Sequence, residues 1–291
     1  MINLYESLKD YPPFSRQLTC RGMLFTQYDC PQTTCKEQFY VEYNFIAYVI
    51  SGRRIFHKGE KSWNLQEGRC AFVKKGAHVA ERLQNDAWCV MVFFIPDEFF
   101  KQLINEHRQG LSLVKPMQSG DEHVLILDVN EISYSFFTSM LPYFSQSPPP
   151  LESLVELKFK ELVLSLLNNR NNEHFLSYLN GLSNNYRQSI EEIMQGNFRF
   201  NLTMSQYASL ASKSVPTFKR DFKKIFNDSP ARWVTNRRLS LAKDLLVHSP
   251  LRIGEIAFEC GFENQTHFSR IFKQRIGVSP VQFRSNVKLL K

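Results

Sequence analysis

The residues best suited to chemistry lie in IGEIAFECGFENQTHFSRIFKQRIGVSPVQFR, from Ile253 to Arg284. Gln265, Thr266, Ser269, Arg270 and Lys273 fall on one side of a predicted helix there, opposite Phe268, Ile271, Phe272 and Ile276. Their chemistry is that of a major-groove reader. Arginine donates two hydrogen bonds to guanine, glutamine pairs with adenine, and a threonine methyl meets the thymine methyl. Lysine neutralises phosphate, which adds affinity without sequence information. A shift of 50 residues toward the N-terminus finds the pattern again: Arg220 with Arg270, Phe222 with Phe272, Lys223 with Lys273, Ser229 with Ser279 and Pro230 with Pro280. An internal repeat at one offset argues for two copies of one supersecondary unit. The exposed set in the first copy is Pro216, Thr217, Arg220 and Lys223, with Lys219 and Lys224 at its flank, while Phe218, Phe222 and Ile225 are expected to point inward.

Each set needs a short helix, a tight turn and a second helix. Ile253, Ile256, Ala257 and Cys260 make one apolar face, Gly261 suits a left-handed helix end, and Asn264 or Glu263 caps the next helix. Gly277 ends that helix, and Ser279-Pro280 opens another. In the first copy Thr203 and Ser214 are the expected caps, with Ser212 in the turn and Asn227 at the helix end where the second copy has glycines. Asn tolerates the left-handed conformation, and Ser does so less well. The C-terminal part is predicted to be all helix, over 187–196, 203–211, 214–226, 230–247, 253–260, 264–276 and 280–288. Helix 230–247 joins the copies. At ~1.5 Å per residue it spans ~27 Å, comparable with the ~34 Å of one DNA turn.

Charge agrees with this placement. From Arg187 to the end there are 18 Lys/Arg against 8 Asp/Glu, whereas residues 1–186 carry 18 against 20. The excess of positive charge therefore sits in the part that holds the repeat, which favours nucleic acid as its partner. The start MINLYESLKDYPP has no secretion-signal pattern, and no apolar stretch approaches membrane-spanning length, so the expectation is a cytoplasmic protein with no membrane association. The six cysteines lack CxxC spacing. Cys30 and Cys35 are read as reduced thiols, with metal binding or oxidant sensing as the alternative.

These motifs resemble the AraC/XylS family of bacterial transcription regulators. The resemblance covers about 100 C-terminal residues and rests on IAFECGFENQTHFSRIFKQRIGVSPVQFR, on SVPTFKRDFKKIF followed by SPARW, and on RRLSLAKDLL. It implies two helix-turn-helix units entering successive major-groove segments on one DNA face. Pro216, Thr217, Lys219 and Arg220, and then Gln265, Thr266 and Arg270, are the implied base-facing positions. It also implies a transcription regulator acting as an activator, with RNA polymerase among its contacts.

The fold class expected is α+β multidomain. Residues 1–182 form a cupin-like β-barrel with a helical hairpin, and residues 186–291 form an all-α DNA-binding domain. Candidate strands are 22–28, 39–50, 53–57, 70–74, 78–83 and 87–95, separated by Gly turns. Helices are expected from 97, over about 130–146 with a kink at Pro142, over 151–169 and over 173–181, with 111–128 unassigned apart from strand-like HVLILDV. The barrel is similar to the one many family members place before the DNA-binding domain, where the barrel or its helices receive a small-molecule effector or a regulatory protein and mediate dimer formation. Tyr43, Tyr48, Trp63 and His78 are the candidate effector-pocket residues, with His78 equally placed as a surface turn residue. Leu151, Val155, Phe159, Leu162 and Leu166 form a stripe read either as a homodimer seam or as a helix packed on the barrel. No cofactor, metal site or catalytic residue is expected, because residues 1–186 offer neither a nucleophile–base pair nor clustered His and carboxylate ligands.

Overall fold

The computed structural model describes residues 1–10, 15–29, 36–59, 61–82, 87–108, 122–183 and 188–289. Cys30, Cys35 and most of segment 111–128 lie outside the described residues. The chain divides into two units, Met1–Arg187 and Gln188–Lys291. No helix among the described residues is long and apolar enough to cross a membrane.

The first unit is built on two sheets. Among the described residues its strands are β1 (Ile2–Asn3), β2 (Ser15–Cys20), β3 (Met23–Asp29), β4 (Lys36–Val41), β5 (Asn44–Ser51), β6 (Arg53–Lys58), β7 (Lys61–Gln66), β8 (Cys70–Val73), β9 (Gly76–Arg82), β10 (Cys89–Ile95) and β11 (Val124–Leu127). One sheet runs β1-β4-β9-β6-β7 and the other β11-β8-β5-β10-β3-β2. The β-rich domain expected here takes the form of two sheets, and among the described residues no ladder joins their edges. The period-2 pattern is the same in a closed barrel and in packed sheets; closure is decided by edge pairing, which alternation does not encode.

Strand β10, CVMVFFI, is almost wholly buried because its sheet is covered on both faces. Val90, Val92 and Phe94 face the opposite sheet, together with Phe45, Ala47 and Val49 of β5. Met91, Phe93 and Ile95 face the helices, together with Ile46 and Tyr48. Double coverage removes the alternation that marks a half-exposed strand. It also hides a break: the predicted single strand 39–50 is two strands in different sheets, parted at Glu42 and Tyr43.

The covering helices are α2 (Asp97–Glu106), α3 (Glu131–Met140), α4 (Glu152–Asn168) and α5 (Glu173–Ser183), with the short α1 (Leu4–Lys9) near the N-terminus. Pro142 does not kink one long helix; α3 ends at Met140 and a 3-10 turn, Leu141–Ser145, carries the proline. In α4 the predicted seam is corrected. Val155, Phe159, Leu162 and Leu166 are buried within their own unit, and Phe159 packs on Phe25 at 4.8 Å and Phe93 at 5.5 Å. Such a ring is worth ~3–5 kcal/mol against alanine, so these four side chains are core. The apolar residues that α4 turns outward are Leu151 (76% exposed), Leu154 and Leu157 (65%).

The second unit is all helix, as expected: α6 (Ile190–Asn197), α7 (Met204–Leu210), α8 (Val215–Phe226), α9 (Pro230–His248), α10 (Ile253–Glu259), α11 (Gln265–Ile276) and α12 (Pro280–Leu289).

Candidate nucleic-acid interface

Helices α8 and α11 are equivalent turn for turn. Each has 12 residues. Ser214 caps α8 by accepting from the Thr217 amide at 3.4 Å, and Asn264 caps α11 by accepting from the His267 amide at 2.8 Å. Both end on a left-handed residue, Asn227 at φ 48° and Gly277 at φ 91°. Both hold their place with an i, i+4 phenylalanine pair, Phe218 with Phe222 and Phe268 with Phe272, all four fully buried. Ile225 was expected inside but is 49% exposed. One turn of three residues past Phe222 carries it off the buried stripe, and Phe226 takes the inner place against Trp233 at 5.3 Å.

Before the recognition helices the copies fall out of step. The Lys213 amide donates to Ala208 O and the Phe262 amide to Ala257 O, both at 2.9 Å, so the turns match at an offset of 49 residues rather than 50. Two residues, Phe262 and Glu263, separate Gly261 from its cap, whereas Lys213 alone separates Ser212 from Ser214. Ser212 takes the left-handed conformation at φ 52°, as Gly261 does at φ 86°. Phe262 fills the core of the second unit beside Phe268 at 5.1 Å. Lys213, in the matching place, instead pairs with Asp221 at 3.0 Å and is the main cause of that carboxyl's lowered pKa.

Helix α9 belongs to both copies. Its start packs Trp233 among the aromatic rings of the first, and Leu239, Ala242 and Leu246 enter the core of the second. Arg238, to which sequence reasoning gave no role, ties the copies together. Its Nε donates to Phe198 O at 2.7 Å, its Nη2 to Phe200 O at 2.9 Å, and its Nη1 to Gly261 O at 2.7 Å. Three charge-assisted bonds to main-chain carbonyls fix the loop before the first copy against the turn of the second. The signal available in the sequence was the Arg237-Arg238 pair directly before the apolar positions of the joining helix. At the far end of α9, Arg284 donates to Leu246 O and Leu251 O and holds α12 in place.

The outward side chains are where the pattern put them, with differences in how free they are. Pro216, Lys219, Arg220 and Lys223 of α8, and Gln265, Thr266, Arg270 and Lys273 of α11, are exposed. Thr217 is half-buried and accepts from Ser214 Oγ at 2.9 Å, so its hydroxyl serves the cap. Arg220 leans on its neighbour Asp221 at 3.5 Å, and Lys223 donates to Asn227 O at 3.1 Å. Gln265 lies back toward α10, with Oε1 close to Gly254. The Arg270 side chain has no ion pair or hydrogen bond among the described residues, and Ile271 stands where α8 has Asp221. An exposed ion pair such as that of Arg220 costs ~0–1 kcal/mol to open, so Arg270 is the readier of the two.

The four residues expected to line an effector pocket do not come together. Tyr48 lies on the helix-facing side of its sheet, stacked on Phe137 at 3.9 Å. Tyr43 and Trp63 are half-buried at the margin of the core between the sheets. His78 is fully buried, stacked on Phe39, with Nε2 bonded to Lys74 O at 2.8 Å. Burial, and then the nearby Lys58, push its pKa well down. A cavity of the first unit lies elsewhere, walled by Leu8, Phe39, Phe45, Phe56, Trp88 and Val92 among others.

The second unit is thus a pair of helix-turn-helix elements on one shared helix, with two cationic recognition helices turned outward. Comparison with known proteins agrees for both units. Residues 207–286 match the helix-turn-helix domain family, and residues 44–178 match the ExsA N-terminal regulatory domain. Both matched domains, and the relatives that share them, are those of AraC-family transcription regulators. It is similar to the virulence regulon transcriptional activator VirF of Yersinia enterocolitica, 25% identical over 237 residues that cover 81% of this chain and 87% of VirF. It is also similar to the HTH-type transcriptional regulator ExsA of Pseudomonas aeruginosa, 23% identical over 238 residues that cover 81% of this chain and 84% of ExsA. Among solved structures, ToxT from Vibrio cholerae aligns over 90% of this chain and 97% of its own at 15% identity, with a TM-score of 0.41.

Proposed function

We propose that this chain is a sequence-specific transcription activator whose C-terminal unit reads two neighbouring major-groove segments and whose N-terminal unit governs that activity. The observation that carries the reading is the pair of recognition helices, equal in length and capping, with matched Arg220 and Arg270 and one helix, α9, between them. A single rigid joint supports reading at fixed spacing, which a flexible tether does not. The sign of regulation follows the relatives, since VirF is named as an activator. Activation implies a contact with RNA polymerase, and the working compartment is the cytoplasm, where the chromosome lies. Arg220 and Arg270 are assigned to guanine, Gln265 to adenine, Thr266 and Thr217 to thymine methyls, and Lys219, Lys223 and Lys273 to phosphates.

The N-terminal unit is assigned a regulatory input and self-association. The outward Leu151, Leu154 and Leu157 of α4, rather than the buried stripe, are the apolar residues open to a second copy. Genome-wide mapping of bound sites, followed by competition between a mapped duplex and its base-scrambled version, tests the main reading. The expected result is binding at least 1,000-fold tighter to the mapped site, on the order seen for specific regulators. Equal binding of the two duplexes overturns it.

A further inference from the structure

Gly254 is the second residue of α10, and its backbone is helical. No left-handed conformation calls for glycine there, as it does at Gly261 and Gly277. Glycine also weakens a helix relative to alanine. What lies beside Gly254 is a side chain of the recognition helix. A Cβ at 254 would stand 3.0 Å from Oε1 of Gln265 and 3.9 Å from its Cδ, and among the described residues no other atom outside α10 comes within 4 Å of it. Gln265 is the first residue of α11 and is exposed, and its side-chain amide makes no hydrogen bond among the described residues. The room left by the missing methyl of Gly254 is therefore the room into which that amide folds back.

The first copy provides an internal comparison. At the 49-residue offset of the turns, Ser205 of α7 stands where α10 has Gly254. At the 50-residue offset of the recognition helices, Val215 opens α8 where Gln265 opens α11. Valine is too short to lie back on the preceding helix and has no polar group to offer a base edge. The copy with valine carries a side chain at 205, and the copy with the long, flexible glutamine leaves the space open.

Gln265 thus has two places, back over α10 or forward on the outer face of α11. A glutamine held forward pairs with adenine N6 and N7, and against another base its amide is left unpaired at the interface. A glutamine that can withdraw avoids that loss. We propose that Gly254 is a positioning residue for base reading: the room it leaves lets Gln265 withdraw, so the second recognition helix tolerates bases other than adenine at the one pair that Gln265 reads. The inference rests on the assignment of Gln265 to adenine given above.

The test uses the full chain and the mapped duplex, with all four base pairs placed in turn at each position of the second segment. Gly254→Ala puts a methyl against Oε1 and so favours the forward position, and it strengthens the helix. A glutamine–adenine pair discriminates by about 5- to 150-fold, so Gly254→Ala is expected to raise the preference for adenine at one base pair by at least ~3-fold and to leave preference at the other pairs unchanged. In a Gln265→Ala background the same substitution is expected to change no base preference. A purely structural role for Gly254 would instead alter affinity for every duplex alike, with or without Gln265. Unchanged preference in Gly254→Ala overturns the inference, as does a change that persists in the Gln265→Ala background. Failure of Gly254→Ala to fold, as read by amide exchange in α10 and α11, also overturns it, because something other than the Gln265 amide would then fill the space. A wild-type chain that binds its mapped duplex specifically, but whose base preferences survive Gln265→Ala unchanged, overturns this inference alone, whereas equal binding of mapped and scrambled duplexes overturns the regulator reading.

Discussion

Gly261 and Ser212 occupy matching turns with different liabilities, and exchanging residues at each separates two physical terms. Both backbones are left-handed, which costs a residue with a Cβ about 1–2 kcal/mol relative to glycine. At Gly261 there is a second obstacle: a Cβ would lie 2.3 Å from Arg199 O and 2.8 Å from Arg199 C, both main-chain atoms that cannot swing aside. Relieving such overpacking costs about 1–3 kcal/mol, and moving the turn also disturbs the bond from Arg238 to Gly261 O. Gly261→Ala is therefore expected to destabilise the second helix-turn-helix by about 2–5 kcal/mol. Gly277, also left-handed, has open space where its Cβ would go, so Gly277→Ala carries only the conformational cost. Ser212→Gly is expected to stabilise the first copy by up to about 1 kcal/mol. Amide exchange followed by mass spectrometry resolves the two copies within the intact chain. Gly261→Ala should speed exchange in α10 and α11 by at least ~30-fold, and Gly277→Ala by ~5- to 27-fold, at 1.4 kcal/mol per factor of ten. Equal effects of the two alanines would refute the contact between the Gly261 turn and residue 199 as a determinant of stability.

Other expectations concern the interface and the first unit. Arg270→Ala should weaken binding to the mapped duplex by ~1–3 kcal/mol and relax preference at one base pair, as read by competition with single-base variants. Arg220→Ala should cost less, because that side chain first has to leave Asp221. Lys273→Ala should weaken binding to all duplexes alike and lower the slope of log affinity against log salt by about 1. Arg238→Met should leave each helix-turn-helix folded by amide exchange yet weaken binding to a two-segment site more than to a single half-site. Lys58 gives a pH signature: burial lowers its pKa from 10.5 to about 7. Between about 7 and 10.5 the unfolded chain holds a proton that the folded chain does not, so this residue makes stability rise with pH across that window, by at most ~1.4 kcal/mol per pH unit. Thermal unfolding of wild type and Lys58→Met from pH 7 to pH 9 should show a steeper rise for wild type.

The second unit was legible because its rules are local. Caps, left-handed helix ends and phenylalanines four residues apart act within one or two turns of chain, so Ser214, Asn264, Gly277 and the phenylalanine pairs could be read directly. What escaped was set by partners distant in sequence. Arg238 meets residues about 40 and 23 positions away, and Arg284 meets carbonyls 38 and 33 positions away. In the first unit, β2, β7 and α1 were missed because SRQLTC, KSWNLQ and LYESLK carry little periodic contrast. Tyr48 and His78 looked like pocket residues because aromatic and imidazole groups on strands suit pockets. Which face of a doubly covered sheet they occupy is decided by packing.

The sequence by itself determined the number of recognition elements, their polarity, and the side chains they turn outward, because a helix of period 3.6 fixes its faces once a few phenylalanines are committed to the core. The tertiary structure alone decided that no ladder joins the edges of the two sheets among the described residues, that the α4 stripe is core, that Arg238 ties the two copies together across α9, and that Arg54 is buried beside an apolar cavity. Those outcomes depend on which surfaces meet, and burial and pairing between distant segments have no period along the chain.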